Sequence, residues 1–168
     1  SEKLKIGVIE ADIDSDVDAH TIAKTGAKVT QLHNGGMCHL DAWRSRIGLD
    51  AIDANDLDLV IIENIGNLIC PAGYDLGEAM SIMILSVPEG DDKPLKYPKM
   101  FCNVDVLIIS KIDATSIFNF DFEAVEARVK ALNPDIKLFF TSAVTGEGMD
   151  EWCSYLLNEV NQWNESEK

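Results

Sequence analysis

The chain has 168 residues, 46% hydrophobic and 26% charged, which suits one globular domain with a sizeable core. Its 29 acidic residues against 14 basic give a net charge of −15. That balance argues against a nucleic-acid partner, because such binding needs a basic face to displace counterions. No run approaches the roughly 18 apolar residues of a membrane span, and Ser1-Glu2-Lys3-Leu4-Lys5 lacks the apolar core of a secretory signal. A cytoplasmic protein without membrane contact is therefore expected.

The elements follow in order. Lys5–Ile9 is a short apolar strand ending at Glu10-Ala11-Asp12, and Asp18–Thr25 reads as a short helix closed by Gly26. Ala27–Leu32 alternates like a strand, Asn34-Gly35-Gly36 is a turn, and Met37-Cys38-His39 is expected to open a helix through Ile47. Asp58–Ile62 is a buried strand ending in Glu63, and Met80–Val87 is another. Pro88–Pro98 reads as a long loop. Val104–Ile109 and Ile136–Phe140 are further strands, with amphipathic helices predicted over Phe122–Leu132 and Gly148–Asn161. Residues 1–163 form one expected domain, and Asn164–Lys168 a frayed tail.

Short apolar strands alternating with helices indicate an α/β fold, with a mostly parallel sheet covered by helices on both faces. Ligands of such sheets bind beyond the carboxyl ends of the strands. The polar clusters at residues 10–12, 63–67, 110–113 and 141–143 all lie there.

Ser110-Lys111-Ile112-Asp113 follows a buried strand, where GTPases carry N-K-x-D. The aspartate of that pattern accepts from guanine N1–H and the 2-amino group, and the lysine stem packs along the base. Thr141-Ser142-Ala143, at the end of the next strand, resembles the second guanine-contacting loop. The alternative is a surface turn with an exposed Asp113. Ser110 replaces the usual asparagine and lacks the amide's second donor, which weakens guanine selectivity.

Cys38, Cys70, Cys102 and Cys153 contain no C-x-x-C pair, so each is either a small buried hydrophobe or a metal ligand. Cys102 and Cys153 read as packing residues, and His20 and His33 as ordinary histidines.

Three longer strings carry a family resemblance. Gly36-Met37-Cys38-His39-Leu40-Asp41-Ala42 resembles G-x-C-H-L-D-A of the hydrogenase nickel-incorporation (HypB) family. Glu63-Asn64-Ile65-Gly66-Asn67-Leu68-Ile69-Cys70-Pro71-Ala72, with Asp75-Leu76-Gly77-Glu78, is similar to its E-N-V-G-N-L-V-C-P-A…D-L-G-E segment. Residues 89–98, EGDDKPLKYP, resemble its E-G-E-D-K-P-L-K-Y-P loop. The sister urease accessory G protein shares the architecture but lacks the C-H-L-D-A and N-L-V-C-P-A strings.

The resemblance implies a P-loop GTPase-like fold and a GTP-dependent nickel metallochaperone. It further implies a homodimer with metal at its interface, working with a small zinc-containing accessory protein on the hydrogenase large-subunit precursor. Cys38, His39 and Cys70 map onto the family's nickel or zinc ligands. Asp12 maps onto the aspartate that helps hold Mg²⁺, and Glu63 and Gly66 onto the E-x-x-G switch that senses the γ-phosphate. Ser110, Lys111, Asp113, Ser142 and Ala143 map onto the guanine pocket. Ala11 stands where the family has glycine.

The phosphate-cradling pattern G-x-x-x-x-G-K-[ST] occurs nowhere in the 168 residues. The family carries it one strand–helix unit before the strand at Lys5–Ile9. The expectation is a G domain whose first strand–P-loop–helix unit is missing and which alone hydrolyses GTP poorly. The other reading is a metal-binding dimer that does not turn over nucleotide.

Overall fold

The computed structural model describes residues 4–12, 17–33 and 35–166, with Asp12 described in its backbone only. Asn34, expected in a turn, and Glu167 and Lys168 of the expected tail lie outside the described residues. Two compact units divide the chain, Ser1–Gly77 and Glu78–Lys168.

The first unit is a three-stranded sheet in the order β2-β1-β3, with every pair parallel. Its strands are β1 (Ile6–Asp12), β2 (Lys28–His33) and β3 (Leu59–Glu63). Central β1 sets Val8 against Val29 on one side and Ile61 on the other. Its Val8, Ile9 and Ala11 are buried, as a strand covered on both faces requires. β1 runs through Asp12, so Glu10 belongs to the strand rather than to the turn after it, and Glu10 is buried. Helix α1 (Val17–Ala23) leads to Gly26 at φ +90°, a left-handed position that glycine adopts freely.

Helix α2 spans Ala42–Ala51 and does not open at Met37. Asp41 sits extended as its N-cap and accepts a 2.8 Å bond from the Arg44 amide. This cap satisfies a donor the first turn would leave open, and it leaves residues 37–40 as loop. α2 crosses β1 closely. A Cβ added at Gly48 would lie 2.7 Å from Ile9 Cγ2.

The second unit is also a parallel three-stranded sheet, in the order β4-β5-β6. Its strands are β4 (Ile82–Ser86), β5 (Val106–Ser110) and β6 (Lys137–Phe140). Val106 and Ile108 on one face of β5, with Phe139, receive Trp152 and Tyr155 of α6 (Met149–Ser166). Leu107 and Ile109 on the other face are fully buried too, so both faces of β5 are covered.

Residues 88–98 are not the long loop expected of them. They include a short helix α3 (Lys93–Lys96), and α4 (Pro98–Cys102) follows. Pro94 and Pro98 lie in the first turns, where a missing N–H costs nothing. Asp91 ties this segment to α5 (Phe122–Leu132): it accepts from the Asp121 amide at 3.0 Å, and Arg128 bonds its carbonyl at 2.7 Å.

Cys102 and Cys153 are exposed, contrary to the packing role expected of them. Phe101 is the buried residue of α4, and Trp152 turns its ring onto Phe139. The next residue on each helix lies about 100° away, on a different face. Among the described residues, no helix is long and apolar enough to cross a membrane.

Candidate metal and nucleotide sites

In the first unit, the loop before α2 and the loop after β3 meet at their cysteines. Cys38 and Cys70 are 32 residues apart in sequence, yet their Sγ atoms lie 2.7 Å apart as free thiols. With a metal–sulfur bond of about 2.3 Å, two thiolates on one ion stand roughly 3.3–3.8 Å apart. The pair therefore needs to open by only about 1 Å to admit an ion. The Cys38 sulfur beside it, which favours the protonated form of Cys70, followed by burial and the Cys38 charge, holds the Cys70 pKa above the usual thiol value.

His39 Nδ1 lies 3.7 Å from Cys38 Sγ, and its ring stacks on Tyr74 with centroids 3.7 Å apart. No three Cys, His, Asp or Glu side chains converge as a ready metal shell among the described residues. One chain thus offers two sulfurs and a neighbouring imidazole, an incomplete set for a four-coordinate ion.

Two asparagines, quoted in the sequence strings without a role, join these loops. Asn67 Nδ2 donates to the Cys38 carbonyl at 2.6 Å, while its Oδ1 accepts from the Cys70 amide at 2.8 Å and the Ile69 amide at 3.1 Å. Asn64 Oδ1 accepts from the Leu40 and Ile65 amides, each at 2.9 Å. The Asn64–Leu40 and Asn67–Cys38 bonds join loops 24 and 29 residues apart, which sequence spacing does not signal, whereas the bonds to Ile65, Ile69 and Cys70 are local turns of the same loop.

At the carboxyl end of the same sheet, Glu63 pairs in register with Glu10 of β1, and Asp12 ends that strand. Carboxylates suit a hard, oxygen-seeking cation such as Mg²⁺. Gly66 has no neighbour within 4 Å of the position a Cβ would take, and its φ is not among the positive ones. The local packing of Gly66 therefore does not itself require glycine.

In the second unit, β5 ends at Ser110, and Lys111 turns the chain at φ +58°. A 3₁₀ turn over Ile112–Ser116 then presents Asp113 at the surface. The Ser142 hydroxyl, fully buried, donates to Asp113 Oδ1 at 2.5 Å and accepts from the Thr145 amide at 3.1 Å. The Ile112 amide donates to the Thr141 carbonyl at 3.2 Å, joining the two loops. Gly148 at φ +71° closes the second loop, where a Cβ would strike the Phe140 carbonyl. Of the expected guanine residues, Ser110 ends β5, and Lys111, Asp113, Ser142 and Ala143 follow strands in two segments held together by backbone and side-chain bonds.

In each unit, parallel strands carry polar loops at their carboxyl ends, where α/β folds bind their ligands. Residues 1–140 match the family model described as CobW/HypB/UreG, nucleotide-binding domain, and the chain belongs to that family.

The chain is 46% identical over 151 residues to the hydrogenase maturation factor HypB of Azotobacter chroococcum mcd 1, a match covering 90% of this chain and 50% of that protein. It is 40% identical over 162 residues to the hydrogenase/urease maturation factor HypB of Helicobacter pylori strain 26695, covering 94% and 67%. The crystal structure of Helicobacter pylori HypB in complex with nickel superimposes with a TM-score of 0.90 at 38% identity, covering 95% of this chain and 76% of that one. HypB from Archaeoglobus fulgidus gives a TM-score of 0.86 at 36% identity, covering 94% and 76%. The signal recognition particle 54 kDa protein of Aeropyrum pernix K1, at 13% identity and a TM-score of 0.59, shares the fold. The chain spans about half the length of the Azotobacter and Escherichia coli relatives it matches.

Proposed function

We propose that this chain is the nickel-binding part of a GTP-dependent metallochaperone for [NiFe] hydrogenase maturation, and that Cys38 and Cys70 carry the cargo ion. The observation behind this reading is the thiol pair itself, two sulfurs 2.7 Å apart from distant loops. Family membership and the nickel complex of the Helicobacter pylori relative support it. Thiolate and imidazole suit nickel or zinc, and the Irving–Williams order favours nickel over iron or cobalt. Two sulfurs per chain, with His39 adjacent, fit a shell completed by a second copy across a two-fold axis. A shared site of this kind can release its ion when the copies part. On this reading the receiving partners are a small zinc-containing accessory protein and the hydrogenase large-subunit precursor.

The nucleotide roles are proposed residue by residue. Asp113 accepts from guanine N1–H and the 2-amino group, Lys111 packs its stem on the base, and Ser142 holds the Asp113 carboxylate in place. Ser110 and Ala143 border the base. Asp12 and Glu63 would hold Mg²⁺, whose charge screens the phosphates, and Gly66 lets the backbone approach the γ-phosphate. The 168 residues contain no G-x-x-x-x-G-K-[ST], so no lysine of that loop meets the β- and γ-oxygens. By itself this chain is proposed to bind nickel and to hydrolyse GTP slowly or not at all.

Calorimetric titration of the chain with GTP and Mg²⁺, and separately with Ni²⁺, tests the division of labour. Binding of Ni²⁺ without binding of nucleotide supports it. Tight magnesium-dependent GTP binding by this chain overturns it.

A further inference from the structure

We propose that Asn67 is a positioning residue for the cargo metal, holding the Cys38 and Cys70 loops so that both sulfurs face one ion. The proposal rests on the nickel-binding reading above and concerns a residue that supplies no ligand atom. One carboxamide grips the backbone of both proposed ligand residues. Its Nδ2 donates to the Cys38 carbonyl at 2.6 Å, and its Oδ1 accepts from the Cys70 amide at 2.8 Å. The two ends cannot be exchanged, because a carbonyl needs a donor and an amide needs an acceptor.

The brace matters because nothing else of regular structure fixes the sulfurs. Residues 37–40 precede α2, and residues 64–70 lie between β3 and the 3₁₀ turn at Pro71–Gly73. Two free loops would lose conformational freedom when one ion joined them, and that loss would weaken binding. Asn67 places that ordering in the folded chain before the metal arrives. Asparagine is the side chain that fits. Aspartate cannot donate to Cys38, leucine can do neither, and glutamine adds a methylene to a brace already at hydrogen-bond length at both ends. Asn64 fastens the adjacent Leu40 and Ile65 amides, so the two loops are laced at successive points.

The test compares wild type with Asn67→Asp and Asn67→Ala, using Cys38→Ala and Cys70→Ala as controls. Asn67→Asp keeps the acceptor for Cys70 and removes the donor to Cys38. Circular dichroism verifies folding, and should Asn67→Ala not fold, Asn67→Asp decides.

The first probe needs no metal. Phenylarsine oxide condenses with two neighbouring thiols, forming two As–S bonds and releasing one water, without change of oxidation state. Binding is read as loss of two thiols per chain. The second probe is Ni²⁺, read by its thiolate charge-transfer absorption. We expect both Asn67 variants to bind each probe about ten-fold or more weakly. For nickel, the extra charge of Asn67→Asp would by itself favour the cation, so weaker binding cannot be simple electrostatics.

Folded Asn67 variants that bind phenylarsine oxide as wild type does would overturn the proposal. Loss of the nickel band in Cys38→Ala would, in that case, leave the nickel reading standing. If the wild type gives no thiolate–nickel band, the nickel reading fails, and the arsenical alone decides whether Asn67 sets the thiol pair.

Discussion

Replacing Gly48 by alanine sets two effects of opposite sign against each other. In an open helix the change stabilises by about 1 kcal/mol, because glycine has more backbone freedom to lose. Here the new methyl would lie 2.7, 2.9 and 3.1 Å from Cγ2, Cδ1 and Cγ1 of Ile9, which is fully buried in the central strand. Comfortable carbon–carbon contact is about 3.5–4.0 Å, so helix and strand must separate or Ile9 must leave its rotamer. Overpacking of this kind costs about 1–3 kcal/mol. The net expectation is a loss of about 1 kcal/mol, read as a Tm lower by about 2–4 °C. Adding Ile9→Val removes Cδ1 and should recover part of the loss, giving favourable coupling in a double-mutant cycle. A Tm raised by Gly48→Ala would refute the close approach of α2 to β1.

The remaining predictions concern the second unit. Ser142→Ala leaves the Thr145 amide without its acceptor and Asp113 without its donor, so thermal melts should show a loss of about 1–3 kcal/mol. Ser110→Asn restores the amide of the GTPase pattern. Guanosine, which makes no phosphate contacts, should then bind more tightly by NMR titration, while adenosine should not. Tyr155 has its pKa raised above 10.0 chiefly by burial, with Glu159 and Asp105 adding repulsion. Its neutral form therefore supports the fold below about pH 10, and that support is lost as pH rises through the raised value. Tyr155→Phe should narrow the stability loss of the chain between neutral pH and pH 11, measured by denaturant titration.

β5 was legible because its apolar run, VLII, is short, rich in β-branched residues and buried on both faces, whereas β3 and β4, expected to be buried, leave Ile61, Ile82 and Ile84 exposed. Helix α5 was legible from its amphipathic pattern and its stop before Asn133-Pro134, and the structure adds Asp121 as its N-cap. The start of α2 was misjudged because the loop residues Met37–Leu40 carry helix-compatible side chains, and the decisive Asp41 cap is a single bond. Short helices after residue 92 were hidden because Pro94 and Pro98 read as breakers but serve as first-turn residues. Cys102 and Cys153 show that a cysteine's helix does not tell which face it takes. At the proposed metal site, Cys38, His39 and Cys70 were expected from family resemblance alone, whereas Asn64 and Asn67 act through loop backbone and leave no periodic trace.

The most direct measurement of the central claim is a calorimetric titration of the chain with Ni²⁺, repeated on Cys38→Ala and Cys70→Ala. The account predicts one ion per two wild-type chains, and binding lost when either cysteine is removed. Nickel binding of unchanged strength in both folded variants would contradict it.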